Sequence, residues 1–386
     1  MHSLGYLDMQ QWRDQWSIRS DTTYLNHGSF GPTPLRVRQQ QRHFQDLLEE
    51  QPMDFLIRQF EEIWFATRKR LAQFVGCDDD GLVFMENATQ AMNQIADGFP
   101  LSPGDEVILN DHEYGAVIRI WERACQRAEA AAPVIAELPK RFQTKQQIVD
   151  AIFEQVTPQT KLIVVSHVTS SSAIILPVDE ICKLAKQSGI AVCVDGPHAP
   201  VQVPLDIDQL GCDFYTASLH KWLAAPFGTG FLDVSPHYQD RVVPCQLSWG
   251  RIPPTPLETW ADEFIWPGTR DPSGFFAIPA AIDFIEEVGV ESLRSWSHEL
   301  VRHARQALYE MWQVEALTPD STDWYGSMVS VPLPSHVQPT MQQTLWEKDG
   351  IEAPFPHAAG QDFIRVSSYL YNDRNDIDKL LTALSP

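Results

Sequence analysis

The sequence has no CxxC pair. Its six cysteines, at 77, 125, 182, 193, 212 and 245, are scattered, so neither a zinc site nor a disulfide framework is suggested and no metal is assigned. They read as small buried residues of a reducing cytosol. Basic residues are scarce, with 29 Lys and Arg against 51 Asp and Glu, for a net charge of -22. That balance argues against a nucleic-acid partner, because a phosphate backbone needs basic patches. No uninterrupted apolar run reaches membrane-spanning length. Residues 1–15 carry polar and charged residues throughout and lack the apolar core of a signal peptide. A soluble cytoplasmic protein without a membrane partner is the expectation. Internal repeats and low-complexity segments are also missing.

What is present is an ordinary globular balance: 386 residues, 44% apolar and 21% charged. That length suits two domains, or one large domain with a smaller one attached. Trp12 and Trp16 share an i,i+4 spacing, which predicts a short helix over 7–20. Asn26 to Pro32 reads as a loop by its Gly and Pro content. Helices are expected over 34–50 and 53–74. Short strands are expected at 82–85, 106–109, 161–166 (KLIVVS), 190–194 (IAVCV) and 214–217. Helices separate them, at 117–130, from Gln90 onward, and from Asp179, read as an N-cap, to near Gly189. Apolar strands alternating with helices predict an α/β fold with a mostly parallel sheet covered on both faces. Residues 247–272, rich in Pro and Trp, read as a surface excursion. Helices at 274–288 and 290–312 then alternate with strands at 328–331 and 363–366, an α+β pattern that puts a domain change between about 265 and 275.

In a doubly wound sheet, ligands bind at the carboxyl ends of the strands. The polar groups that follow the strands are therefore the informative ones. They are Asn87-Ala88-Thr89, Asp111 to Tyr114, His167 to Ser170, Asp195 to His198, and Ser218 to Lys221. Most lysines are solvated, but Lys221 has apolar and aromatic neighbours. Desolvation and nearby cations free a lysine amine to form a Schiff base. Asp195, at the tip of a buried strand, caps a turn or pairs with a pyridinium nitrogen, which would keep pyridoxal phosphate acting as an electron sink. Thr89 opens a helix, where N–H groups and the dipole favour a phosphate; an N-cap without ligand is the competing reading. Ser218 and His220 can add phosphate donors. Tyr114 either stacks on a pyridine ring or simply packs. His198 reaches the cofactor's phenolic oxygen or is a satisfied buried histidine. Arg365, between apolar residues in a strand, suits a substrate carboxylate or a structural ion pair.

Taken together, these residues resemble the class V aminotransferase superfamily, the cysteine-desulfurase-like group, and most closely its isopenicillin N epimerase-like branch. The resemblance runs through Tyr24 to Gly31, the Asn87-Ala88-Thr89 turn, Asp111 to Tyr114 and His167 to Ser170. It continues through Leu176-Pro177-Val178, Asp195 to His198, Ser218 to Trp222, Gly268 to Asp271 and Arg365-Val366-Ser367. It implies a fold type I transferase with a seven-stranded sheet in a large domain at 20–268. A smaller α+β domain would comprise 1–19 and 269–386. It implies pyridoxal phosphate as cofactor and a homodimer with shared active sites. Lys221 would carry the Schiff base and Asp195 would face the pyridinium. Ala88, Thr89, Tyr114, Thr169, His198, Ser218 and His220 would contact the cofactor. Thr269 would reach the neighbouring subunit's phosphate. Arg365 would bind the substrate carboxylate, with Asn26 and His27 near the substrate mouth.

Two departures matter. Thr169 to Ala173 lacks the Pro-Thr-Gly common in this branch. Residues 351–361 (IEAPFPHAAGQ) contain no cysteine, which argues against a desulfurase with a loop nucleophile. The expected substrate is a small molecule, an amino acid or an amino-acid derivative. Lys221 as base permits epimerisation, β-elimination as in a cysteine or cystine C–S lyase, or transamination, because fold and cofactor do not select the reaction. The epimerase-like reading comes first by resemblance, with Tyr114 or His27 as second acid–base group. A non-catalytic binding or scaffolding protein is the reading from another class.

Overall fold

A computed structural model of the chain describes residues 12–251 and 255–385. Residues 7–11 of the expected first helix lie outside the described residues. Of the rest, only Trp12 and Arg13 are helical, and the chain has no regular secondary structure from Trp16 to Arg19. The Trp12–Trp16 spacing instead sets both rings edge-on against Phe284.

In chain order the elements are β1 (Thr23–Tyr24), α1 (Leu35–Glu50), α2 (Phe60–Val75), β2 (Leu82–Met85), α3 (Ala88–Gly98) and β3 (Glu106–Asn110). Then follow α4 (Gly115–Arg127), β4 (Val134–Ala136), α5 (Gln146–Phe153), β5 (Thr160–Ser166), α6 (Val178–Gln187), β6 (Ala191–Asp195), β7 (Phe214–Ser218) and β8 (Gly230–Val234). The remainder is α7 (Ile278–Val288), α8 (Val290–Trp312), β9 (Met328–Pro332), α9 (Met341–Asp349), β10 (Ile351–Glu352), β11 (His357–Ala358), β12 (Gln361–Ser367) and α10 (Arg374–Leu384). A π-helical turn at Phe55–Gln59 precedes α2. Asp179 does not cap α6: Pro177 holds the cap position, without a side-chain bond, and Asp179 sits in the first turn. A carboxylate there still complements the helix dipole.

The main sheet has seven strands in the order β2-β8-β7-β6-β5-β3-β4. Only β8 runs antiparallel to its neighbours β2 and β7. Successive side chains of a strand face opposite sides, and both sides here are buried. Ile163 and Val165 of β5 join one core, with Trp64, Ile181 and Leu71. Leu162 and Val164 join the other, with Met92, Ile95 and Trp121 from α3 and α4. This explains why β5 and β6 read as continuous apolar runs. A second sheet, β11-β12-β9, is antiparallel, and β1 pairs with β10 in a third, two-stranded sheet.

Sheet polarity sets the site. The carboxyl ends of β2, β3, β5, β6 and β7 share one edge, and β8 begins there at Gly230. Gly230 is the register partner of both Met85 and Ser218. A Cβ on it would lie 2.6 Å from the Ala217 carbonyl and 3.0 Å from Asn87 Cα, so only glycine fits. Among the described residues, no helix is long and apolar enough to cross a membrane, and no cluster of His, Cys, Asp and Glu is arranged to hold a metal ion.

Candidate active site

Lys221 follows β7 and is partly buried. Its Nζ lies 3.1 Å from His198 Nε2. Burial pulls its amine below the usual lysine range, and the charge of Arg365 pulls it further; Asp195 opposes both. On the backbone side, His27 Nε2–H donates to the Lys221 carbonyl at 3.0 Å. Gly31 approaches the same stretch, with its N–H on the His220 carbonyl at 3.2 Å.

Asp195 ends β6 and is buried, with Oδ1 unpartnered. Desolvation pushes its carboxyl up, and Lys221 pulls it back. The turn that follows is strained. Val201, a β-branched residue, has φ +71°, a conformation that persists only where its surroundings enforce it. Arg294 of α8 does so by donating to the carbonyls of Val201 and Val203 at 2.6 and 2.7 Å. Gln202 adds a bond to the His198 carbonyl at 2.6 Å. His198 is thereby fixed, with its Nδ1 accepting from Trp222 Nε1–H at 3.2 Å.

Across the edge, Asn87 caps α3 by accepting from the Gln90 N–H. The Ala88 N–H donates to Ser218 Oγ at 3.0 Å, which leaves the Ser218 hydroxyl proton free to donate elsewhere. Thr89 is exposed in the first turn, where helical N–H groups have no intrahelical acceptor. His220 is partly buried, its Nδ1 is unpartnered, and burial holds it down to about 4.

Arg365, on β12, reaches the same region from the second sheet. It donates through Nη1 to the Ser170 carbonyl at 2.8 Å, and through Nη2 to Asn26 Oδ1 at 3.2 Å and to Ser29 Oγ. It is buried, its Nε is unpartnered, and among the described residues no carboxylate pairs with it. Burial lowers it to about 10. A buried cation without a counter-ion is costly, and an anionic ligand would offset that cost.

The other expected residues are placed less directly. Tyr114 is 51% exposed just before α4, close enough to interact electrostatically with Arg365. Thr169 is buried, and its hydroxyl accepts from the Ile174 N–H and bonds Ser172 within its own loop. Asn26 is buried and supports Arg365, while His27 lies wholly beneath the surface. Thr269 is exposed and borders a 220 Å³ cavity with Glu86 and Gln90, away from Lys221.

Several contributors have roles that the sequence alone does not assign. Ser29 and Ser170 hold Arg365, Tyr369 and Tyr371 hold His27, and Trp222 holds His198. Glu113 is another: its buried carboxylate accepts from Asn110, the Ser166 N–H and the Ser166 hydroxyl. The local signal for Glu113 was its place directly after a strand.

The chemistry of the donors fits pyridoxal phosphate. An unpartnered buried carboxylate suits a pyridinium N–H. A helix start with Ser218 suits a phosphate. A lysine amine follows on the next strand end, and the unpaired Arg365 suits a carboxylate.

The family model Aminotransferase class-V matches residues 27–380. Isopenicillin N epimerase of Streptomyces clavuligerus is 34% identical over 395 residues, covering 99% of this chain and 98% of the relative. Putative L-cysteine desulfhydrase 1 of Oryza sativa subsp. japonica is 29% identical, covering 94% and 82%. Among solved structures, the complex between the cystine C–S lyase C-DES and its reaction product cysteine persulfide has a TM-score of 0.84 at 22% identity, covering 95% of this chain and 99% of the other. A C-DES mutant with glycine covalently linked to its PLP cofactor has a TM-score of 0.85 at 21% identity, covering 97% and 99%.

Proposed function

The chain belongs to the class-V aminotransferase family, and from that premise we propose that it acts at the α-carbon of an amino acid or amino-acid derivative, with Lys221 as the residue that holds pyridoxal phosphate covalently and moves the α-proton. The fold is the type I fold of pyridoxal phosphate enzymes, and the cofactor is pyridoxal phosphate. When bound, the cofactor withdraws electrons from the α-carbon. The observation that carries the reading is Arg365, a buried cation without an acid partner among the described residues, whose charge acts on Lys221.

The chain's own residues divide the work. Asp195 Oδ1 holds the ring nitrogen's proton. Ser218 and the first turn of α3, with Thr89, hold the phosphate. Arg365 fixes the substrate carboxylate and so orients the α-hydrogen towards Nζ of Lys221. His198 would hold the ring oxygen of the cofactor, and Tyr114 would cover its ring. Thr269 faces the phosphate of a second subunit in a homodimer.

Epimerisation is the first reading, in keeping with the relative of 34% identity along the full length. It needs a proton donor on the opposite face of the α-carbon. His27 does not suit that task, because both its nitrogens are engaged and burial holds it down to about 3. Tyr114 remains. A C–S lyase is the second reading, favoured by this shortage of a second acid, since β-elimination uses one base alone.

A panel of L-amino acids, including cysteine and cystine, assayed at once for keto acid and for chirality, separates them. Inversion with solvent deuterium at Cα and no keto acid marks the epimerase, and pyruvate marks the lyase. Neither product from any member, in a chain whose colour borohydride does not bleach, would overturn the proposal.

A further inference from the structure

Two ring nitrogens and one amine form a chain with only one direction. An indole nitrogen donates and cannot accept. Since Trp222 Nε1–H points at His198 Nδ1, 3.2 Å away, that nitrogen must carry the lone pair. The single ring proton of neutral His198 is then on Nε2. Nε2 in turn faces Lys221 Nζ at 3.1 Å. An ammonium has three donors and no acceptor, so the contact closes only if Lys221 is an uncharged amine. A cationic His198 would set an Nδ1–H against the indole N–H and is excluded by the same geometry.

We propose that Trp222 is a positioning residue: by donating to Nδ1 it fixes His198 as the Nε2–H tautomer, and that tautomer holds the Lys221 amine in its uncharged form. The inference rests on the reading of Lys221 as the covalent cofactor residue for its purpose, though not for its geometry. When an amine adds to an aldehyde carbon, its nitrogen lone pair forms the new bond, and its two protons leave with the aldehyde oxygen as water. An ammonium has no lone pair with which to begin.

The charged and titratable groups around Nζ come from three places. His198 and Asp195 lie at the end of β6, Arg365 lies on β12, and His220 precedes Lys221. Arg365 disfavours an ammonium and Asp195 favours one. Their opposition leaves the lysine responsive to which lone pair His198 presents. Trp222 itself is buried beside Tyr369 and His27, so its indole cannot turn away without displacing them.

The reverse tautomer would have the opposite effect. With the proton on Nδ1, Nε2 would accept from an ammonium and stabilise it. Trp222→Phe removes the indole donor and lets this tautomer form. The test uses the full chain freed of cofactor. Lys221 is acylated with isotopically labelled acetic anhydride across a pH series, and its peptide is quantified by mass spectrometry.

The Trp222→Phe variant is expected to shift the labelling midpoint upward by about one pH unit, about tenfold slower labelling at neutral pH. In a His198→Gln background the same change is expected to do nothing. An unmoved midpoint in folded Trp222→Phe overturns the proposal, as does a shift that persists in His198→Gln. Nitrogen-15 spectra of histidine-labelled wild-type chain give an independent reading: His198 must show a protonated Nε2 and a bare Nδ1, and the reverse pattern overturns it too. Whether Lys221 carries the cofactor is read separately, by borohydride reduction of the purified chain and peptide mapping.

Discussion

His27 lies flat on Tyr369, with ring centroids 3.7 Å apart and planes 9° apart. From that stack its Nε2–H reaches the carbonyl of Lys221, while Nδ1 accepts from the hydroxyl of Tyr371 at 2.8 Å. The histidine is a strut under the lysine. His27→Ala leaves the buried Tyr371 hydroxyl unpaired over a cavity and leaves the Lys221 carbonyl with the Ala224 N–H alone. A loss of about 2–4 kcal/mol in unfolding free energy is expected, read by urea denaturation. A variant as stable as wild type would show that the strut carries no weight.

Glu113 gives a pH signature. Burial and the neighbouring Asp195 raise its carboxyl to about 7, against the pull of Ser166 and Asn110. The folded state therefore binds this proton more tightly than the unfolded chain, where the value is 4.5. Stability contributed by this group is present below that value and is lost as pH rises to about 7. Glu113→Gln keeps the shape, and its amide can donate to the Ser166 hydroxyl. It is expected to match wild type near pH 4.5 and to exceed it at pH 8, by about 3 kcal/mol at most. Parallel stability curves in the two proteins would contradict this.

Arg365→Lys keeps the charge and loses the fork. Nη1 and Nη2 bond three residues on two segments, Ser170 on one and Asn26 and Ser29 on the other, and one ammonium cannot span them. Losing bidentate recognition of a carboxylate is worth about 1.5–3 kcal/mol. KM for the amino-acid substrate should rise by about ten- to a hundredfold, with a smaller change in kcat. An unchanged KM would place the substrate carboxylate elsewhere.

Ser218→Ala removes a hydroxyl that accepts from the Ala88 N–H and has a proton left to give. Affinity of the cofactor-free chain for pyridoxal phosphate should fall by about tenfold. Affinity for pyridoxal, which has no phosphate, should stay the same. Equal losses for both would mean that Ser218 supports the lysine strand rather than a phosphate.

The strands that carry the site were legible because they are buried on two faces. KLIVVS and IAVCV have no polar alternation to blur their limits, and the polar residue after each one marks the ligand edge. Lys221, Asp195 and the start of α3 follow from that pattern. β8 was not legible: Gly-Phe-Leu-Asp-Val includes a buried Asp233 and starts on a glycine, which weakens any strand signal. β4 has only three residues, and β1 pairs with β10 across more than three hundred positions. Within the described part of the helix expected over 7–20, only Trp12 and Arg13 are helical, and the two tryptophans at helical spacing both pack on Phe284. Partnerships such as Trp222 with His198, or Ser29 with Arg365, depend on three-dimensional closure and leave no local trace.

Gly230 has an inheritance of its own. It is opposite Met85 on one side and Ser218 on the other. A single methyl group there would collide with Ala217 and Asn87 at once. Descendants of this chain can trade aliphatic residues within either strand and still fold. They cannot widen this junction for one anchor without moving the other. The turn that opens α3 and the Ser218 end of β7 must therefore pass from ancestor to descendant as a linked pair.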